Sequence, residues 1–349
     1  MRSLCLLIAS GLAIFAAAGL TPQSSDGPYH VIRTAKVGGD GGFDYVNADS
    51  SGRMLYVARS AQASSRVNVF NLDTLEPAGE IADTRAHGAV VDPRSHHGFC
   101  SSKPIVMFDS KTMAVIKKID VQGNPDGLVG DPSSQLLFVL SHQSPNVTAI
   151  DAKTGNVVGT VEIGGAVEQS ACDGKGHLFI DVEDKGSVAV VDTKALKVVN
   201  TFSLGEKFGG NAGMAFDVRN HVLFIACRDP QVMVMMDSNT GKVLANLPIG
   251  NGCDGCGFNP RTNECFSSQG DGTLTIIKEE NPTTFVVEQT VKTMPGAKTM
   301  TIDSKTGKVY LIAAEYGAPP EAAPNANGNG RRRRGPMIPG SFSIIEVGK

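Results

Sequence analysis

Tryptophan is missing from this chain, and aromatic residues of every kind amount to 6% of it. The one short basic run, Arg331 to Arg334, accordingly offers no aromatic stacking platform of the kind that holds single-stranded nucleic acid. Charge is sparse as well: Asp, Glu, Lys and Arg make up 19%, with a net charge of -3, so no global electrostatic case for a polyanionic partner exists. Helical periodicity is absent after the first twenty or so positions, which argues against an α-helical domain. No Gly-x-Ser-x-Gly elbow and no phosphate-cradling glycine loop occurs. No Cys-x-x-Cys-His is present for covalent haem, and the single Cys-x-x-Cys lacks the second pair a structural zinc site needs.

What the chain does have is a phrase repeated seven times. A turn residue and a short gap precede an apolar doublet, and a second apolar stretch then ends in an acid. Its clearest copy runs Asp131-Pro132, Leu137-Phe138-Val139, Val147 to Asp151, then Thr154-Gly155. The turn residues are Asp49, Asp92, Asp131, Asp173, Asp217, Asn259 and Asp303, at steps of 43, 39, 42, 44, 42 and 44. Self-similarity at that period marks a repeat architecture and overrides the two-domain expectation set by length.

Within the first unit, alternation and turn chemistry predict strands over Phe43 to Ala48, Met54 to Ala58, Val67 to Asn71 and Pro77 to Ile81. Four antiparallel strands in about 42 residues is the pattern of a β-propeller blade. The seventh unit stops at a third strand, Ser341 to Val347. The segment Val31 to Gly39 resembles Gly159 to Gly165, the end of a fourth strand, so the N-terminal strand is expected to complete the last blade. The expectation is an all-β, seven-bladed propeller over residues 28–349.

The phrase Leu55-Tyr56-Val57-Ala58, followed by a strand and an Asp-x-x-Thr-Gly turn, resembles the YVTN-type repeat. Leu137 to Leu140, Leu223 to Ala226 and Val309 to Ile312 carry it too. The chain thereby resembles the YncE-like family of exported seven-bladed propellers. The resemblance implies a fold and leaves chemistry open, because that family is largely without assigned activity. Related propellers include non-catalytic partner domains of redox enzymes, and some members are associated with nucleic-acid or cell-surface binding. One departure is an insertion in unit seven, about 314–340, rich in Pro, Gly and Asn and carrying Arg331 to Arg334. It is expected to be a disordered loop.

The N-terminus reads as an export signal over residues 1–20: Arg2, an apolar run from Leu4 to Phe15, then Ala16-Ala17-Ala18. An uncleaved anchor is the competing reading, although the segment barely reaches the roughly 20 apolar residues a span requires. The mature protein is expected to be periplasmic or secreted, without a transmembrane span, and monomeric. Six cysteines remain after the signal. Cys253 and Cys256 are disulfide candidates in an exported setting, with free buried thiols the alternative. A redox role is disfavoured because the pair leads into a strand rather than a helix N-terminus.

The repeat also serves as a ruler. Five positions before each turn residue stand Asp44, His87, Asp126, Glu168, Ala212, Asp254 and Lys298, six of them ionisable. These should encircle the inner mouth of the channel. Asp44, His87, Asp126, Glu168 and Asp254 are the metal candidates, and the oxygen and imidazole donors suit a divalent cation. Residues just past each second strand form another set: Arg59, Ser102, His142, Glu183, Arg228, Gln269 and Glu315. Of these, Arg59 and Arg228 suit a carboxylate or phosphate. The leading expectation is an exported, non-catalytic binding or protein-interaction scaffold using the channel mouth, its protein or small-molecule ligand unidentified. The alternatives are a metal-dependent hydrolase or lyase at the same place and, last, nucleic-acid binding through Arg331 to Arg334.

Overall fold

Seven four-stranded antiparallel sheets follow one another along the chain in the computed structural model, which describes residues 27–60, 64–319 and 335–349. Residues 1–20, read from sequence as an export signal, and Arg331 to Arg334 lie outside the described residues. The inner strands are Gly42–Asp49, Ala86–Asp92, Pro125–Asp131, Val167–Cys172, Gly209–Asp217, Cys253–Asn259 and Met300–Ile302, numbered here as blades 1 to 7. In blades 1 to 6 the sheet order follows chain order. The seventh sheet runs His30–Lys36, Ser343–Gly348, Val309–Ala313, Met300–Ile302 from its outer edge inward, with Thr34 opposite Ile345. Helix is confined to one turn of 3-10 helix, Glu183–Lys185, and no helix among the described residues is long and apolar enough to cross a membrane.

Each inner strand ends at or just before its turn residue because that side chain folds back on the chain. Asp49 Oδ1 accepts from the Ser51 and Gly52 amides at 3.0 and 2.9 Å, and Asp131 accepts from Ser133 and Ser134 in the same way. The acids ending the third strands of blades 2 to 5, Asp109, Asp151, Asp192 and Asp237, do likewise. Asp151 Oδ1 takes the Thr154 amide and hydroxyl, and Gly155 follows at φ 65, a conformation glycine adopts without strain. Those bonds hold the Asp109, Asp151 and Asp192 carboxyls below the usual carboxylate range. The most regular acids of the repeat are therefore occupied in closing turns.

The core is seven wedges rather than one mass. Each buried apolar cluster lies between consecutive blades, as with Tyr56, Val67 and Val69 of blade 1 against Cys100, Val106 and Phe108 of blade 2. The seventh wedge joins Leu55, Val57 and Phe70 of blade 1 to Tyr310, Ile312 and Phe342 of blade 7. Each blade thus buries its apolar faces against its neighbours, as the units of a repeat architecture do. The described ends of the blade 7 insertion also pair: Tyr316 bridges Met337, and the Gly317 amide donates to Pro336 O at 2.9 Å.

Candidate functional site

Inner strands begin, and second strands end, on the same face of an antiparallel sheet. That topology merges the two sets of residues marked out by the repeat into one necklace at the channel mouth, to which all seven blades contribute. His87 Nδ1 of blade 2 lies 2.7 Å from Asp44 Oδ2 of blade 1 and 3.4 Å from Asp126 Oδ1 of blade 3. Asp126 turns its other oxygen to His142, with Oδ2 3.1 Å from Nε2, and that nitrogen is 3.6 Å from Glu168 Oε1. Further round, Arg228 reaches Glu183 Oε1 at 2.7 Å through one arm and Asp254 Oδ1 through the other, and its Nε donates to Cys253 O at 3.0 Å. Lys298 of blade 7 binds the second oxygen of Asp254. Thr299 Oγ1 then donates to Asp44 O at 2.7 Å, returning the circuit to blade 1.

The two halves of this necklace are compensated differently. Asp254 is largely buried between Arg228 and Lys298, and its carboxylate is fully engaged by those fixed cations. It is thus taken as an ion-pair partner and drops out of the metal candidates. Burial works against charge on Arg228, but the Asp254 and Glu183 carboxylates outweigh it and raise its pKa. Burial raises the Glu183 carboxyl, the nearby Glu168 adds to the rise, and Arg228 opposes it. On the other side Asp44, Asp126 and Glu168 have only imidazoles between them. Hydrogen bonds to Asp126 and Glu168 push His142 up to about 10, and the Asp44 hydrogen bond raises His87.

Behind the necklace lies a cavity of about 300 Å³, whose lining includes Tyr45, Gly88, Gly127, Glu168, Gln169 and Cys256. Glycine stands one position past the inner-strand mouth residue at Gly88, Gly127, Gly213 and Gly255, and Gly88 and Gly127 line the cavity. A Cβ on Gly213 would sit 2.8 Å from Cys256 Sγ, and one on Gly88 3.1 Å from Tyr45 Cβ. Where blades 2, 3, 5 and 6 have glycine, blades 1, 4 and 7 place Tyr45, Gln169 and Thr299. Gln169 reaches past blade 5, donating from Nε2 to Asp254 O at 2.8 Å and accepting from the Met214 amide at 3.2 Å. Burial, followed by the carboxylates of Asp126, Glu168, Asp44 and Asp254, raises the Tyr45 hydroxyl well above its ordinary value.

Arg59 departs from the expected arrangement. Although it ends the second strand of blade 1 as Arg228 does in blade 5, its guanidinium is buried over the Phe342 ring, 3.7 Å from the centroid. There it donates to Gly38 O, Asp40 O and Gly41 O at 3.2, 2.9 and 3.3 Å, so it fastens the loop entering blade 1 instead of facing the channel. Cys253 and Cys256 stand as free thiols. They are three residues apart on one extended strand, about 10 Å of rise, which exceeds the Cα separation a disulfide bridges. Burial pushes the Cys253 thiol up to about 12. Ala212 contributes no polar atom, and Arg228 supplies blade 5's share of the mouth from the second strand.

His142 and Glu183 belong to the necklace although the spacing rule alone gives only inner-strand positions. Their signal was their place just after a second strand. Tyr45 and Gln169, like Thr299, are signalled only as departures from a position that is glycine in blades 2, 3, 5 and 6.

No family model and no curated protein matches this chain. Solved structures do. A chain of the "Crystal Structure of Mitotic Checkpoint Complex" superposes with a TM-score of 0.69 at 12% identity, covering 89% of this chain and 95% of that one. A chain of Kuenenia stuttgartiensis Hydrazine Synthase superposes at 0.66 with 16% identity, over 79% of this chain and 94% of that one. At such identities the likeness establishes the propeller fold alone.

Proposed function

We propose that this protein is an exported binding scaffold, which captures a small ligand or a partner's protruding group at the channel mouth without transforming it. The observation that carries this reading is the convergence of charged side chains from seven blades over a cavity of about 300 Å³. That volume is at the small end of ligand pockets. Among the described mouth residues, no hydroxyl or thiol nucleophile is paired with a base in the way covalent catalysis requires. The YVTN-like phrases support placement among the YncE-like exported propellers, and with it a periplasmic or secreted location. The two superposed proteins are, by their titles, a complex and an enzyme, so the fold itself does not choose.

Screening metabolites and short peptides by thermal shift tests the proposal. Stabilising compounds should lose their effect in Glu168→Gln and Arg228→Gln proteins and keep it in His96→Gln, a variant in a distant turn. Turnover that depends on Asp126, Glu168 or His142 in a hydrolase and lyase panel would overturn it in favour of a metal-dependent enzyme.

A protein partner is favoured by a second feature. The outer strands of blades 2, 3 and 4 expose the apolar doublets Val115-Ile116, Val157-Val158 and Val198-Val199 at matching positions. Aligned apolar residues on successive open edges form a surface a partner can cover. Crosslinking from a photoreactive residue at position 157 should then capture a specific neighbour, and uniform labelling without one would remove this second reading.

A further inference from the structure

Three carboxylates and two imidazoles alternate along the blade 1 to blade 4 arc of the mouth, with no Arg or Lys among the described residues bound to them: Asp44, His87, Asp126, His142 and Glu168. The facing oxygens on either side of each imidazole must be bridged by positive charge. A proton can serve each pair one bond at a time, whereas a metal ion can accept all three donors together. The donor atoms of Asp44, His87 and Asp126 all lie within 4.8 Å of one another, as do those of Asp126, His142 and Glu168. The nitrogen-to-oxygen distances are 2.7 and 3.4 Å in the first group, 3.1 and 3.6 Å in the second. For ligands about 2.1 Å from a metal, neighbouring donors stand about 3.0 Å apart in an octahedron and about 3.4 Å apart in a tetrahedron. The four nitrogen-to-oxygen edges straddle those values.

Asp126 decides the stoichiometry. It gives Oδ1 to one group and Oδ2 to the other, and it is mostly buried, so neither oxygen swings freely. We infer that this arc is a paired site for two divalent transition-metal cations, one held by Asp44, His87 and Asp126, the other by Asp126, His142 and Glu168. The Asp126 carboxylate bridges them. Mixed imidazole and carboxylate donors favour Zn²⁺, Mn²⁺ or Co²⁺ over Ca²⁺. Three protein donors per ion leave open positions, facing the mouth, for an anionic or hydroxyl-bearing ligand. This deepens the binding-scaffold reading and rests on it for the site's purpose. The opposite arc cannot do the same, because Arg228 and Lys298 already occupy Asp254.

Equilibrium dialysis of the purified chain against Zn²⁺, followed by elemental analysis, tests the inference. Two ions per chain are expected, one in His87→Gln, one in His142→Gln and none in Asp126→Asn, with His96→Gln keeping two. Should Asp126→Asn fail to fold, the unsubstituted protein still decides. Its Co²⁺ complex should show two equivalents of weak visible absorption and no intense thiolate band, since the cysteines take no part. Fewer than two ions in the unsubstituted protein, either ion surviving in Asp126→Asn, or a thiolate band would overturn the paired site. If cations fail to bind while mouth-dependent ligand shifts persist, only this inference falls. If cations bind and no mouth-dependent ligand is found, the scaffold reading falls instead.

Discussion

The mouth has two arcs built at equivalent positions of one repeat, yet they balance charge by opposite means. On the other arc, from Glu183 of blade 4 round to blade 7, guanidinium and ammonium groups hold Asp254 and Glu183 in fixed pairs. On the blade 1 to blade 4 arc the only compensating groups among the described residues are His87 and His142, whose charge depends on what else is bound. One arc is finished by the chain itself, and the other awaits a proton or a cation. A ring of near-identical blades can thus separate structural from ligand-binding duties by exchanging Arg and Lys for His at a few positions.

The sharpest way to break that contrast is to remove the central acid of the fixed arc. Asp254→Ala leaves two cations facing each other in a largely buried setting. Because both are about a third exposed and can rehydrate, the loss is expected to be about 2 kcal/mol in urea denaturation, less than for a fully enclosed pair. A smaller effect, about 1 kcal/mol, is expected for Arg228→Lys, which keeps the charge but loses the fork spanning Glu183 and Asp254. Equal stability of Arg228→Lys and the parent would show that the fork adds nothing.

The imidazole arc should betray itself through pH. The folded pKa of His142, about 10, lies above its unfolded value of about 6.5. Its contribution is therefore fully present below pH 6.5 and fades as pH rises toward 10. In chelator-treated protein the urea midpoint should fall across that window, and His142→Gln should flatten the fall. An unchanged slope in the variant would assign the dependence elsewhere. The smallest effect belongs to Asp44→Asn, at the exposed end of the arc, where a loss below about 1 kcal/mol is expected. A loss matching that of Asp254→Ala would erase the distinction between the arcs.

The fold was readable because the same side chain does the same local job in every unit. Asp49 and Asp131 close turns through their own carboxylates, so position alone located strands such as Gly42–Asp49, expected as Phe43 to Ala48. The convergence of Asp44, His87, Asp126, Glu168, Asp254 and Lys298 followed from the same ruler. Side-chain direction did not. Arg59 and Arg228 share a register, but one finds the free carbonyls of residues 38–41 and the other finds two carboxylates. That choice depends on neighbours brought by the connection into blade 1, which no spacing records. His142 and Glu183 were legible as members of the set just past the second strands, but their meeting with the inner-strand set was not: they enter the mouth from the far end of a different strand, and only antiparallel pairing makes the two ends neighbours.

The pairing of His30–Lys36 with Ser343–Gly348 also carries a kinetic consequence. Arg33 and Glu346, joined by a salt bridge at 2.8 Å, are 313 positions apart. Closing a loop that long costs about 3 kcal/mol more in chain entropy than closing a hairpin of about ten residues. Contacts of such separation form late in folding. Blades 1 to 6 can stack before the seventh sheet has its edge, so the wedge between blades 7 and 1 is expected to set last and to open first. Pulsed hydrogen exchange should find the amides of residues 31–36 protected after those of blade 3. The same seam, lined by Tyr310, Phe342 and Leu55, is then the point at which the circle behaves as a spring clip rather than a solid hoop.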